Sequence, residues 1–465
     1  MLPTSKIDPW INLICLFILI PSPLVVNSFL LDPHVRAQLK LRSQKAELRR
    51  LTYANLLSAA PVGSPLFLSP IIKKGDSAEA QRLAAVQPIP PLLPGIESFS
   101  GFITVNENLG SNLFFWMFKS LEGDWKLKPL VIWLQGGPGV TSLYGLLYEV
   151  GPFYLNEKVK LVRRKYTWCQ KYNLMFIDNP VWTGFSFTKQ DAGYPTSELD
   201  IAANLYSFIV QFYGMFPELK KNPLYITGES YASKMIPAFA HYIHLRNQEN
   251  AGRLGFIDSN ARDLFHTYEE EARAAMRAKE WSKAKSVFYD KLFWAMYNLT
   301  DISAPYNYIH DVDVKQPDED FFAEPDVRRL LHVGNQKFAF MSDKVWDSMD
   351  SAFMQSAKPW IEDILNWEAF SFVSYSGQLD IICAYPLSVN LFRNLKWKRA
   401  DAYLKAKRCK VLEGDAPVGY FKTAGVFTEI LFRNCGHMVP GDQPLVAFNF
   451  LDTLIGNRTE GFRCD

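Results

Sequence analysis

Cysteine is scarce in this 465-residue chain: there are six, and no two form a Cys-x-x-Cys pair. That absence excludes zinc-ribbon and thioredoxin-like motifs. Cys15 falls in the first stretch, so Cys169, Cys383, Cys409, Cys435 and Cys464 leave an odd set of five. At least one of them stays unpaired or bridges two chains. Histidine is nearly as rare, at seven. The one metal-like spacing, His241-x-x-His244, has no third ligand nearby, so it reads as a helix face and no metal is expected. Charge of one sign is also lacking. Fifty basic residues against 48 acidic ones give a net charge of +2, which points to neither nucleic acid nor a membrane surface. Internal repeats, low-complexity tracts and cofactor motifs are absent as well.

Long apolar runs are missing too. The longest, residues 10–20, follows Lys6 and is interrupted by Pro21 and Pro23. A membrane span needs about 20 apolar residues, so this run matches the apolar stretch of a signal peptide, with Asn27-Ser28 as small polar residues for cleavage. An uncleaved signal anchor is the alternative. Two Asn-x-Ser/Thr sequons, at Asn298 and Asn457, fit a secretory route and glycosylation there.

What the chain does have is length and apolar mass. Its 48% hydrophobic and 21% charged residues suit a globular enzyme with a large core. After the leader (1–28), residues 29–95 show little periodicity. They hold a basic, Leu-spaced stretch at 36–50 and end in Pro88, Pro90, Pro91 and Pro94, so they read as an N-terminal extension. Residues 96–250 alternate strands and helices. Apolar runs at 113–118, 130–134, 173–178 and 224–227 are hydrophobic along their whole length, as strands buried on both faces are. Helical spacing at 202–213 and 233–246 supplies cover. Residues 251–365 are rich in helix formers and charge and read as a helical insertion. Strands resume at 370–375 and 426–432 in a second core segment, 366–465. The fold class is α/β: a mostly parallel mixed sheet with helices on both faces.

The chemistry starts where the run 224–227 meets Gly228-Glu229-Ser230-Tyr231-Ala232. A strand, a Gly-x-Ser-x-small turn and then a helix form the context of a nucleophile elbow, which lifts a serine hydroxyl out of the chain. A nucleophilic serine needs a base and a group to orient it. Asp380 follows the strand near 370, and His437 follows the strand near 426. That order of serine, acid and histidine, each in a strand-end loop, is the order of the α/β hydrolases.

Four blocks then carry a resemblance: Trp-Leu-Gln-Gly-Gly-Pro-Gly at 133–139, Glu-Val-Gly-Pro at 149–152, the elbow at 228–232 and Gly-His-Met-Val-Pro at 436–440. Together they resemble the signatures of the serine carboxypeptidases, an α/β-hydrolase family. Gln135 and Leu379-Asp380-Ile381-Ile382 are most similar to the vitellogenic-like members, and the likeness runs from about 65 to 449. The resemblance implies Ser230 as nucleophile, His437 as base and Asp380 as its partner. It implies an oxyanion hole from the backbone N–H groups of Gly137 and Tyr231. It further implies that Trp133, Gln135, Gly136, Glu149 and Glu229 hold the free α-carboxylate of a peptide or protein substrate. Glutamates beside a carboxylate would have to be protonated, so an acidic pH optimum is expected, as are secreted or lysosomal/endosomal surroundings and no cofactor.

The departures are specific. Val140-Thr141 replaces the family's small or Cys residue followed by Ser, Ser233 replaces Gly just after the elbow, and Trp182 replaces Gly in a loop near the site. If that glycine uses positive φ, tryptophan strains the loop or fills the cleft. The largest departure is a missing piece. Relatives carry another central strand after the helix ending near 248, whereas this chain passes at once into the insertion. Its loss opens the sheet between the nucleophile strand and the strands of the acid and base. A catalytically impaired binding or storage protein is therefore the alternative to an active peptidase, with an acyltransferase a lesser one.

Overall fold

The computed structural model describes residues 15–17, 62–87, 95–156, 159–245, 271–272, 274–287, 291, 306–307, 319–380, 383–456 and 462–464. The two sequons, the basic stretch at 36–50, the prolines at 88–94 and much of the insertion lie outside these residues.

The strands are β1 (Cys15–Phe17), β2 (Ala85–Val86), β3 (Ser98–Asn106), β4 (Ser111–Phe118), β5 (Leu130–Leu134), β6 (Phe153–Leu155), β7 (Leu161–Arg163), β8 (Asn173–Ile177), β9 (Leu224–Gly228), β10 (Phe372–Gly377), β11 (Cys409–Glu413), β12 (Ala416–Ala424), β13 (Phe427–Phe432) and β14 (Phe462–Arg463). Twelve of them form one sheet in the order β14-β11-β12-β13-β10-β1-β9-β5-β8-β4-β3-β2. The central strands, from β13 to β8, run parallel, and antiparallel strands flank them on both sides. Every residue of β4, β5, β8, β9 and β10 is buried. That burial is why these strands read as unbroken apolar runs, and why helices must cover both faces.

The helices named before β10 are α1 (Ser69–Lys73), α2 (Ser77–Ala84), α3 (Glu198–Met215), α4 (Ala232–Leu245), α5 (Trp281–Ser286), α6 (Glu319–Ala323), α7 (Pro325–Leu330), α8 (Asp343–Ser348), α9 (Asp350–Phe353) and α10 (Lys358–Trp367). After β10 come α11 (Tyr385–Arg393), α12 (Ala400–Lys405), α13 (Val439–Asp442) and α14 (Pro444–Ile455). Of the two long helices, α4 packs on the nucleophile strand β9 and α3 packs on α4 and β3; Ser197 caps α3 by accepting from Asp200 N–H. The described residues of the insertion include the short helices α5 to α10. Between them residues 339–342 clamp the loops of the core: Thr141 N–H donates to Phe340 O at 3.0 Å, Ser342 N–H to Gly139 O at 3.0 Å, and Gly184 N–H to Ala339 O at 3.1 Å.

Two expectations change here. Residues 62–87 are no loose extension: Leu68, Ala80 and Ala84 are fully buried, and β2 pairs with β3. Short helices with few apolar residues hide their periodicity in so brief a stretch. The second change concerns the missing strand. Its place between β9 and β10 is taken by β1, three residues of the apolar run read as a leader. Cys15, Leu16 and Phe17 pair with Phe372, Val373 and Ser374 of β10, and Leu16 pairs with Thr227 of β9. Facing edges of β9 and β10 left open in a core would strand their N–H and C=O groups, and an apolar extended segment satisfies part of that need. Among the described residues no helix is long and apolar enough to cross a membrane.

Candidate active site

The turn after β9 has the geometry its sequence predicts. Ser230 adopts φ +59°, a left-handed conformation that costs a non-glycine residue about 1–2 kcal/mol. The elbow is tight on its inner side: a Cβ on Gly228 would lie 2.3 Å from Leu134 O and 2.8 Å from Ala232 Cβ. The loop after β5 backs directly onto it. A Cβ on Gly136 would meet Tyr231 N at 2.6 Å and Ser230 Cβ at 2.7 Å, so only glycine lets the two backbones touch. Gly137, at φ +108°, turns the chain past the same point. The two expected oxyanion donors, Gly137 and Tyr231, thus lie on adjoining backbone segments.

The acid and base come from the other side of the sheet. Asp380 follows β10 and His437 follows β13, and Asp380 Oδ2 meets His437 Nδ1 at 2.9 Å with both side chains buried. Asp380 Oδ1 accepts from Cys383 N–H at 2.9 Å. His437 is fixed further by its N–H donating to Tyr306 O at 2.7 Å, with the Tyr306 ring edge-on at 5.4 Å. With Nδ1 directed at Asp380, Nε2 is the nitrogen left for the serine. Among the described residues no hydrogen bond joins Ser230 Oγ to His437; such contacts often tighten only when substrate binds.

The expected carboxylate-binding residues assemble around Gln135. Trp133 Nε1–H donates to Gln135 Oε1 at 2.7 Å, and Gln135 Nε2 donates to Glu149 Oε1 at 3.3 Å and Glu229 Oε1 at 3.2 Å. Gly136 contributes by its closeness to the elbow. Both glutamates are buried, and the Oε2 atom of each lacks a donor. Burial is the main force raising both carboxyls above the usual range, and for Glu229 the charge of Glu149 adds to it. Like charges so close together disfavour ionising both carboxyls at once. Burial pushes the Tyr375 hydroxyl on β10 up as well, with the same two glutamates contributing, and that hydroxyl also has no partner.

Each departure has a visible consequence. Trp182 sits at φ +72°, the backbone conformation that favours glycine. Its ring is half-buried against Tyr194 at 5.7 Å, the Lys344 ammonium lies 4.6 Å from its centroid, and Nε1–H has no acceptor. Ser233 is buried with its hydroxyl unpartnered. Thr141, by contrast, is at home: its hydroxyl donates to Asp178 Oδ1 at 2.5 Å.

Sequence reasoning missed three members. Cys383 Sγ lies 3.1 Å from His437 Nδ1, and burial holds its thiol well up and neutral. Tyr306, from the insertion, holds the backbone of His437. Lys234, one turn past the elbow, forms a buried ion pair with Glu198 at 3.0 Å. The position of Cys383, three residues after Asp380, was the only signal available. Of the five later cysteines, Cys409 and Cys464 form a disulfide, and Cys169, Cys383 and Cys435 are free. His241 of the His-x-x-His pair lies 3.0 Å from Asp363 Oδ2 through its Nε2.

A serine elbow and a buried acid–histidine pair, on a mostly parallel sheet with a helical insertion, fit a serine hydrolase of the α/β-hydrolase fold. The chain belongs to the serine carboxypeptidases, whose family profile matches residues 90–260 and 259–457. It is 39% identical to the venom serine carboxypeptidase of Apis mellifera over 444 residues, covering 87% of this chain and 94% of that protein. It is 36% identical to the vitellogenic carboxypeptidase of Aedes aegypti, covering 84% and 90%. The probable serine carboxypeptidase CPVL of Mus musculus is also 36% identical, covering 85% and 90%. In fold it is similar to the yeast prohormone-processing carboxypeptidase KEX1(DELTA)P, with a TM-score of 0.63, 21% identity, and coverage of 81% of this chain and 96% of that one. The profile match divides at 259–260, next to the expected gap. Over the bee match about 405 residues of this chain span 444 positions, so about 40 positions have no counterpart here.

Proposed function

We propose that this serine carboxypeptidase releases C-terminal residues through an acyl-enzyme on Ser230, and that it does so best in acid. In this reading Ser230 Oγ attacks the carbonyl carbon of the last peptide bond while its proton passes to His437 Nε2. Asp380 holds the imidazole and stabilises the cation that forms. The oxyanion accepts hydrogen bonds from the N–H groups of Gly137 and Tyr231, donors fixed before the reaction begins. As the C–N bond breaks, His437 returns its proton to the leaving amine. Water then attacks the ester by the same route in reverse and frees Ser230.

Exopeptidase specificity rests on the cluster of Gln135, Glu149 and Glu229, with Trp133 holding Gln135. The carrying observation is the buried glutamate pair, whose carboxyls are held above their usual range by burial. A protonated carboxyl can donate a hydrogen bond to the substrate's terminal carboxylate, and an ionised pair would repel it. Raising the pH ionises the pair and should lift KM. Hydrolysis of an N-blocked dipeptide is expected to fall from about pH 5 to 8 mainly through KM; a flat profile would contradict the reading. The sequons at Asn298 and Asn457 support a secretory route to a secreted, endosomal or lysosomal site.

A further inference from the structure

Directly behind the elbow lies a buried charge cluster that the reaction does not use. Lys234 is only 4% exposed. Its ammonium meets Glu198 Oε1 at 3.0 Å, donates to Ala352 O at 2.7 Å and Phe353 O at 3.1 Å, and lies 3.5 Å from the Tyr231 hydroxyl. The Tyr231 hydroxyl in turn donates to Glu198 Oε1, and the Lys234 ammonium lies 5.1 Å from the Tyr231 ring centre. Three separate elements meet at these groups: the first turn of α3, the elbow with the start of α4, and the end of α9 in the insertion.

Burying an ammonium and a carboxylate costs several kcal/mol per ion before their attraction repays it. An apolar pair would fill the same space, so stability alone gives little reason for these residues. What they grip is telling. Tyr231 follows the nucleophile, and its backbone N–H is one of the two oxyanion donors in the reading above, on which this inference rests. A donor works only if it is held at hydrogen-bond distance, about 2.7–3.1 Å, from where the oxyanion develops. The side chain of Tyr231 is anchored at its far end by Glu198 and Lys234, and Lys234 is anchored by the carbonyls of α9.

We propose that Lys234 and Glu198 are positioning residues for catalysis: they clamp the Tyr231 side chain and so hold its N–H on the oxyanion, with α9 of the insertion as the abutment. Neither touches the reacting atoms. Loss of the clamp should therefore lower kcat and leave KM nearly unchanged, because the interaction matters only once the oxyanion forms.

The test uses the full-length chain, with wild type and Ser230→Ala run first. Ser230-dependent hydrolysis establishes the underlying reading; its absence defeats that reading, not the clamp alone. Tyr231→Phe removes the hydroxyl anchor with little effect on folding, and Glu198→Gln with Lys234→Met removes both charges so that neither is left alone. Both variants, shown folded by circular dichroism, are expected to lose about ten-fold or more in kcat with KM within about two-fold of wild type. Lys234→Met alone strands the Glu198 charge and should also unfold more easily, while the double variant regains stability without regaining kcat. Wild-type kcat in folded Tyr231→Phe, or a loss carried by KM, overturns the proposal. Should the double variant fail to fold, Tyr231→Phe decides alone.

Discussion

The sheet has two halves of similar quality and a seam between them that is much thinner. On the nucleophile side β5 pairs with β9 through five residue pairs and β3 with β4 through eight. On the acid–base side β10 pairs with β13 through six. The seam is β1, with three pairs to β10 and one to β9. The catalytic groups divide along the same line. Within the acid–base half the Asp380–His437 contact is made at 2.9 Å, while across the seam Ser230 and His437 share no hydrogen bond. Each half builds its own chemistry from a strand and the loop after it. Their cooperation depends on how well the seam holds them in register, helped by the Tyr172 hydroxyl donating to Asp452 at 2.7 Å and by His241–Asp363 at 3.0 Å.

The largest expected effect breaks one half chemically and leaves the seam alone. Asp380→Asn leaves the geometry and gives His437 the wrong tautomer, so kcat for peptide hydrolysis should fall about 10⁴-fold. Thermal unfolding of that variant should stay close to wild type. The seam itself is broken by Leu16→Asp, which puts a charge at the one position pairing with both β9 and β10. A sheet with buried N–H and C=O groups left open loses about 1–3 kcal/mol for each, a large part of a typical stability of about 5–15 kcal/mol. Labelling of Ser230 should drop with the folded fraction; unchanged labelling and melting would show the halves hold without β1.

A smaller effect sharpens the nucleophile side. Glu149 and Glu229 have folded-state values raised by burial, so they bind protons that the unfolded chain releases above its ordinary glutamate range near about 4.3. Their contribution to stability is therefore full below that range and is lost as pH rises through the raised values. Melting temperature should fall from pH 5 to 8, and Glu229→Gln should flatten that fall. Smallest is Trp182→Gly: relieving φ +72° returns about 1 kcal/mol, offset by lost packing on Tyr194. A melting temperature within a few degrees of wild type is expected; a large drop would mean that the aromatic contact outweighs the backbone strain.

The two halves also differ in how much the sequence discloses. Residues 130–134, 173–177 and 224–228 could be read directly because burial on both faces leaves an unbroken apolar run. Ser230, Asp380 and His437 followed because strand-end loops carry recognisable turn chemistry. Strands near the edges were harder. β3 carries Ser98, Ser100 and Gly101, and β12 exposes Ala416 and Pro417, so neither shows a clean period. Long-range partnerships left no local trace: Glu198 and Lys234 lie 36 residues apart in the sequence, and β1 pairs with strands more than 200 residues away. The gap after 248 was legible, but which segment lies in it was not, since any short apolar run satisfies the same backbone groups.

Whether the triad works across the seam is answered most directly by labelling the purified full-length chain with a fluorophosphonate near pH 5, beside Ser230→Ala. Wild type should take a label that vanishes in the variant, showing that Ser230 and His437 meet despite the missing strand. A folded wild-type chain that takes no label would contradict a working triad and favour a catalytically impaired binding protein.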